Sequence, residues 1–351
     1  MKRAARIAAF AVVCALTLSA HAEAWTLRVV GNLHFGKNWT TYFEKEGPEY
    51  PFAQIAEFLS DADWTVGFFE GVASGREGLA PFVNEPLLSS SLAAEALRVA
   101  GFDAVSLASP RIMDYGLTGL QQTVGAFDAV GLVHFGAGEN LTLARTLGTA
   151  RVNEHEIAFA AFLHGVSRAH AEQQTPGANI LAPSILKADM ASAEAASDAV
   201  IVFIRWEYSA QEQVTGKQKL LARMAVDAGA DAVFGVRGRE LQGVEIYRDR
   251  PIFYGLGEFV RGVDVPRKHG RVMIPTVAFD GELPMRVDLT PVRVDTILES
   301  GQTLQTKLQP RLLTGKEAEP PVNLFTRLCE ELGTAVEKTD GGLRIQIQEL
   351  P

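Results

Sequence analysis

"SSLAAEALRVAGFDAVSLASP", Ser90 to Pro110, is the stretch that decides the fold. Its first part carries alanines and leucines at helical spacing and stops at Gly101, the residue type that closes helices. A short apolar run, Asp103 to Ala108, follows and reads as a strand. A helix passing into a strand through one glycine is half of a βαβ unit, which implies parallel strands.

The same rhythm continues on both sides. Upstream, "TLRVVG" (Thr26 to Gly31) reads as a strand, "PFAQIAEFLSDA" as a helix and "WTVGFFEG" as a second strand. Downstream, "YGLTGLQQTVGAFDAVG" is a helix ending at a glycine, and "LVHFGAG" begins as a strand. "ARVNEHEIAFAAFL" differs, with two alternating strands about Asn153 and Glu154 that predict a β-hairpin. "SDAVIVFIRW" is a strand, Glu212 to Ala228 a helix, and "GADAVFG" a further strand. From "RVMIPTVAF" to Val294 the chain is β-rich; "PVNLFTRLCEELG" then predicts a helix and "LRIQIQEL" a last strand. The pattern predicts an α/β domain with two sheets and no internal repeat.

Composition fits that reading. The 351 residues are 47% hydrophobic and 21% charged, ordinary globular values. The first 22 residues stand apart: Lys2, Arg3 and Arg6 precede an apolar run, Ile7 to Leu18, which ends in Ala20-His21-Ala22. That is the pattern of a cleavable secretory signal, which predicts a periplasmic or secreted protein cut after Ala22. Val13 precedes Cys14 where a lipoprotein signal needs a small residue, so no lipid anchor is expected. No later stretch is long and apolar enough to span a bilayer. A signal over 1–22 leaves a single domain over 23–351, with a core over 27–260 and C-terminal strands and a helix over 261–351. Loss of Lys2, Arg3 and Arg6 would take the formal charge from −9 to −12. An acidic chain without a basic block argues against nucleic acid as a partner. Cys329, on the apolar side of its helix, reads as a buried, inert thiol.

In open α/β sheets ligands bind beyond the carboxyl ends of the strands. Those ends carry Asn32 and His34, then Glu70, then Ser109-Pro110-Arg111, then Arg205-Trp206-Glu207-Tyr208, and finally the turn Val236-Arg237-Gly238-Arg239. Four arginines and one or more glutamates thus converge on one edge. His134 falls in a strand and His155 in the hairpin turn; His164, His170 and His269 fall in loops or at strand ends. None of these five has metal-ligand spacing.

The order of these stretches resembles the CapA family of capsule and poly-γ-glutamate synthesis proteins. The likeness is carried by "AEALRVAGFDAVSLA", "DYGLTGLQQT", "GLVHFGAGENLTLAR", "QKLLARMAVDAGADAVFG", "LQGVEIY" and "PIFYGLGEF". It covers about Leu27 to Phe259. The resemblance implies a metallophosphoesterase-like two-sheet sandwich, layered α/β/β/α. It also implies a divalent-metal site, and there this sequence departs from the family. Asn32 stands where the family has Asp; of Asn-Leu-Glu-Gly only Glu70 and Gly71 remain. Ala108-Ser109-Pro110-Arg111 replaces Ala-Asn-Asn-His, Arg205-Trp206-Glu207-Tyr208 replaces His-Trp-Gly-x-Glu-Tyr, and Gly235-Val236-Arg237-Gly238-Arg239 replaces Gly-His-His-Pro-His. Glu258 takes the place of the Asn in Leu-Gly-Asn-Phe.

Arginine has five N–H donors and no lone pair to offer a metal. With arginine at four histidine positions, no metal held in the family's manner is expected, and no cofactor. Two partners for the arginines are open. One is an anionic small molecule or polymer, bound through Asn32, Arg111, Arg205, Glu207, Arg237, Arg239 and Glu258. The other is internal pairing with Glu70, Glu207, Glu240 and Glu258. The leading expectation is an exported, metal-independent protein of envelope-polymer handling. A hydrolase working through Glu70 and His34 on a phosphoester or γ-glutamyl amide is the alternative, and a structural role beside an envelope partner protein is a third.

Overall fold

In the computed structural model the first strand, Trp25–Leu33, is buried along nearly its whole length, and its side chains divide between two cores. Trp25, Leu27 and Val29 point to one face, and Val30 and Leu33 to the other. The strand His155–Leu163 divides likewise, with Ile157, Phe159 and Ala161 joining the first core and Ala158, Ala160 and Phe162 a third. Strands buried on both faces carry apolar side chains in both directions, as Ile157 to Leu163 does without a break, while Arg28 interrupts the first strand. The structure describes residues 24–36, 38–75, 81–165, 168–208, 213–238, 240–260, 270–294 and 309–348. The expected signal over 1–22, Arg239 and His269 lie outside them.

Two sheets stack on the first core. The larger has a parallel row, Trp25–Leu33, Trp64–Phe69, Ala104–Ser106 and Val133–Phe135. It continues on the other side of Trp25–Leu33 through the antiparallel strands Arg271–Asp280, Leu283–Arg293 and Gly342–Gln346. The smaller sheet has four parallel strands at its centre: Arg250–Leu256, Ala232–Val236, Ala199–Arg205 and His155–Leu163. Leu241–Tyr247 and Gly148–Val152 close its two edges in antiparallel fashion. The predicted hairpin about Asn153 is therefore present, and its second strand also belongs to the parallel row.

Helices Leu92–Val99 and Gly116–Ala129 cover the outer face of the large sheet through Ala93, Leu97, Leu120 and Phe127. Pro183–Glu194 and Gly216–Asp227 cover the small one through Leu186, Met190, Leu221 and Ala225. The layers run α/β/β/α, as expected. One helix differs: in place of a continuous helix over 51–62 the chain has a single turn at Tyr50–Phe52 and a short helix, Ala56–Ser60. Ile55, with φ −141° and ψ −1°, breaks the run, and Phe52, Ile55 and Leu59 all reach the core. The helix Asn38–Glu46 had no counterpart in the sequence reading.

The two sheets are tied together at one end. After Leu256 the chain leaves the small sheet, turns at Gly257 (φ 69°), and pairs Glu258–Val260 with the first strand of the large one. Gly31 permits the approach, since a Cβ there would lie 2.2 Å from the Gly257 carbonyl oxygen.

Candidate functional site

That crossing fixes Asn32. Its backbone N–H donates to the Gly257 carbonyl at 3.0 Å, and it stands in register with Glu258. Its side chain, 1% exposed, turns toward the small sheet, where Nδ2 donates to the Gly238 carbonyl at 3.1 Å. Arg205, last residue of its strand, meets it from that side, donating from Nη1 to Asn32 Oδ1 at 3.4 Å. Nη2 of the same guanidinium donates to Glu70 Oε1 at 2.9 Å. The ends of three strands from two sheets are thus joined by one arginine.

Arg237 lies in the turn beside Gly238 and is 1% exposed. Its Nη1 donates to Gln218 Oε1 at 3.2 Å. Gln218 is held in turn: it forms a capping box with Thr215 at the start of helix Gly216–Asp227, and its Nε2 donates to Gln242 Oε1 at 2.8 Å. The other two nitrogens of Arg237, Nε and Nη2, are buried and make no hydrogen bond among the described residues. They form the side-on edge of the guanidinium, where two N–H bonds point the same way and match a carboxylate or phosphate. Burial pushes the Arg237 guanidinium below its ordinary pKa, with Glu240 acting in the opposite direction.

The other expected residues fall around this centre. Arg111 pairs with Asp114, Nε to Oδ2 at 2.9 Å, and also donates to the Glu85 carbonyl. Burial raises the Asp114 carboxyl, the Leu87 N–H and Arg111 oppose that, and Glu70 adds to it. His34 is half-buried beyond the end of its strand, its N–H donating to the Val260 carbonyl at 3.0 Å. Glu207 is exposed, and Glu258 is 8% exposed beside Asn32. Of the internal pairings expected for the arginines, Arg205 with Glu70 is present. Arg111 takes an aspartate instead, and Arg237 a glutamine.

Residues 26–263 match the family described as bacterial capsule synthesis protein PGA_cap. The chain belongs to that family. Among PGA_cap relatives, the capsule biosynthesis protein CapA of Bacillus anthracis is 28% identical over 246 residues, covering 68% of this chain and 60% of that one. The PGA biosynthesis protein CapA of Bacillus subtilis (strain 168) is 28% identical over 234 residues, 66% of this chain and 62% of that one. The chain thus spans about three-fifths of the length of each relative. A hypothetical protein from Thermus thermophilus superposes with a TM-score of 0.48 at 13% identity, covering 76% of this chain and 98% of that one.

Two imidazoles of this PGA_cap chain, placed by the sequence in loops or at strand ends, reach the same edge. His164 follows the end of strand His155–Leu163, and its Nδ1 accepts the Glu207 N–H at 3.4 Å. Neutral His164 therefore carries its proton on Nε2, a buried atom without a hydrogen-bond partner among the described residues. Nε2 of His170 is likewise buried and without a hydrogen-bond partner among the described residues. Burial pushes both rings below the ordinary histidine pKa; Lys217 and His170 lower His164 further, while Glu207 opposes. Leu163 ends a strand of the parallel row, so His164 stands with the other strand-end residues, and the hairpin pattern of the sequence hides this.

Proposed function

We propose that this chain is an anion-binding, metal-independent member of its family, exported and acting in capsule, poly-γ-glutamate or related envelope-polymer handling. The observation that carries the reading is the unpartnered Nε/Nη2 edge of buried Arg237. A buried guanidinium with two unmade hydrogen bonds costs several kcal/mol, roughly, unless a ligand supplies the acceptors. A carboxylate or phosphate supplies both at once. The neighbouring Arg205, Glu70 and Asn32 hold one another, whereas Arg237 keeps two N–H groups without an acceptor among the described residues.

The donor set does not fit the divalent metal that the family resemblance implies. Asn32 Oδ1 and Glu70 Oε1, the oxygens nearest a metal-binding role, both accept from Arg205. Arginine contributes no ligand atom. Among the described residues no group of three or more His, Cys, Asp or Glu gathers in a metal-binding arrangement.

Export is supported by the basic, apolar and small-residue pattern of the first 22 residues. Among the described residues no helix is long and apolar enough to cross a membrane.

Calorimetric titration with tri-γ-glutamate and with inorganic phosphate tests the binding reading. One of the two is expected to bind the wild type, and Arg237→Met to lose that binding. Absence of binding by either anion contradicts the reading. So does turnover of a γ-glutamyl or phosphoester substrate that Glu70→Ala abolishes, which returns the hydrolase alternative.

A further inference from the structure

A cavity of about 550 Å³ lies at the far edge of the large sheet, between helix Gly116–Ala129 and strand Val133–Phe135. That volume falls within the range of small-molecule sites. Leu120, Val124, Phe135 and Ala137 line it, and Leu143 at its wall is 49% exposed. The charged groups among the lining residues are Asp128 and Glu139, with His134 the one lining side chain able to become positive.

Both carboxylates are oriented. Asp128 Oδ1 lies 3.0 Å from His134 Nε2, and Glu139 Oε1 accepts from Gln121 Nε2 at 2.8 Å. The remaining oxygen of each makes no hydrogen bond among the described residues. Gly125 lines the same cavity from inside the helix. A glycine in a helix interior weakens the helix relative to alanine. Here packing does not demand it, because a Cβ at Gly125 would meet nothing within 4 Å. What the glycine does is keep that wall at backbone level, where a ligand can lie against the helix.

We propose that this cavity binds a small cationic amphiphile, an amine whose apolar body lies on Val124, Gly125 and Leu143 and whose ammonium meets a carboxylate at the rim, Asp128 or Glu139. The site is independent of the Arg237 centre. Charge decides the class: an ammonium gains a charge-assisted acceptor, a neutral head loses it, and a carboxylate is repelled.

The test uses one apolar body with three heads: 4-phenylbutylammonium, 4-phenylbutanol and 4-phenylbutyrate, titrated calorimetrically into the full chain. The ammonium is expected to bind about ten-fold tighter than the alcohol, with the carboxylate weakest. Gly125→Leu, which fills the cavity, should abolish binding. The surface pair Asp128→Asn/Glu139→Gln should bring the ammonium down to the alcohol's affinity without disturbing the fold. Equal affinities for the three heads, no binding of the ammonium, or an unchanged affinity in the double variant would overturn the proposal.

Discussion

Arg205 reaches from the end of one sheet to Glu70 at the end of the other, Nη2 to Oε1 at 2.9 Å, with both side chains no more than 14% exposed. The same guanidinium holds Asn32. Removing one partner leaves a buried charge without its counter-ion, and that costs more than the pair itself contributes. Glu70→Gln is expected to destabilise the protein by about 3 kcal/mol, and Glu70→Leu with Arg205→Met to recover much of that loss. Urea unfolding of the two variants decides it. Equal losses in both would show that the pair contributes stability in its own right.

Asp231 gives a pH signature away from the site. It accepts from Val200 N–H at 2.9 Å and Arg250 Nε at 3.1 Å, yet burial outweighs these and raises its pKa to about 6. A carboxyl raised in the folded state favours folding fully below its unfolded value of 3.8, and that contribution is lost as pH rises through about 6. Asp231→Asn does not titrate. Its stability relative to wild type should therefore improve by about 2 kcal/mol between pH 4 and pH 7, measured by urea unfolding at both. A pH-independent difference would show that Asp231 is not raised.

Gly125 offers a gain. Alanine is the better helix former, and at this position a Cβ meets no neighbour within 4 Å. Gly125→Ala should stabilise by about 1 kcal/mol and raise the melting temperature by a few degrees. A loss of stability would mean that the helix wall is packed.

The layers of the fold were legible because their cause is local. Strands buried on both faces carry apolar side chains in both directions, and glycines such as Gly101 mark where helices give way to them. The crossing at Gly257 was not legible, because nothing in "PIFYGLGEF" marks a change of sheet at that glycine. Only the backbone shows that Leu256 belongs to one sheet and Glu258 to the other.

The site was legible as a set of residue types at strand ends, with Glu70 one of four acids open to the arginines. The partner of Arg237 did not follow. Gln218 sits on a helix whose sequence reads as a covering element, and its link to Arg237 depends on the capping box that turns its amide inward. Thr215 and Gln218 show that box in sequence, but nothing there says what else the amide would touch.

Arginine side-chain ¹⁵N NMR tests the central claim most directly. The spectrum should contain one Nε–H signal that is absent in Arg237→Met and that exchanges slowly with solvent, as its burial requires. On addition of tri-γ-glutamate or phosphate that signal should move downfield and saturate, as a new charge-assisted hydrogen bond forms. An Arg237 Nε–H signal that stays in place while either anion is raised to saturating concentration would contradict the account.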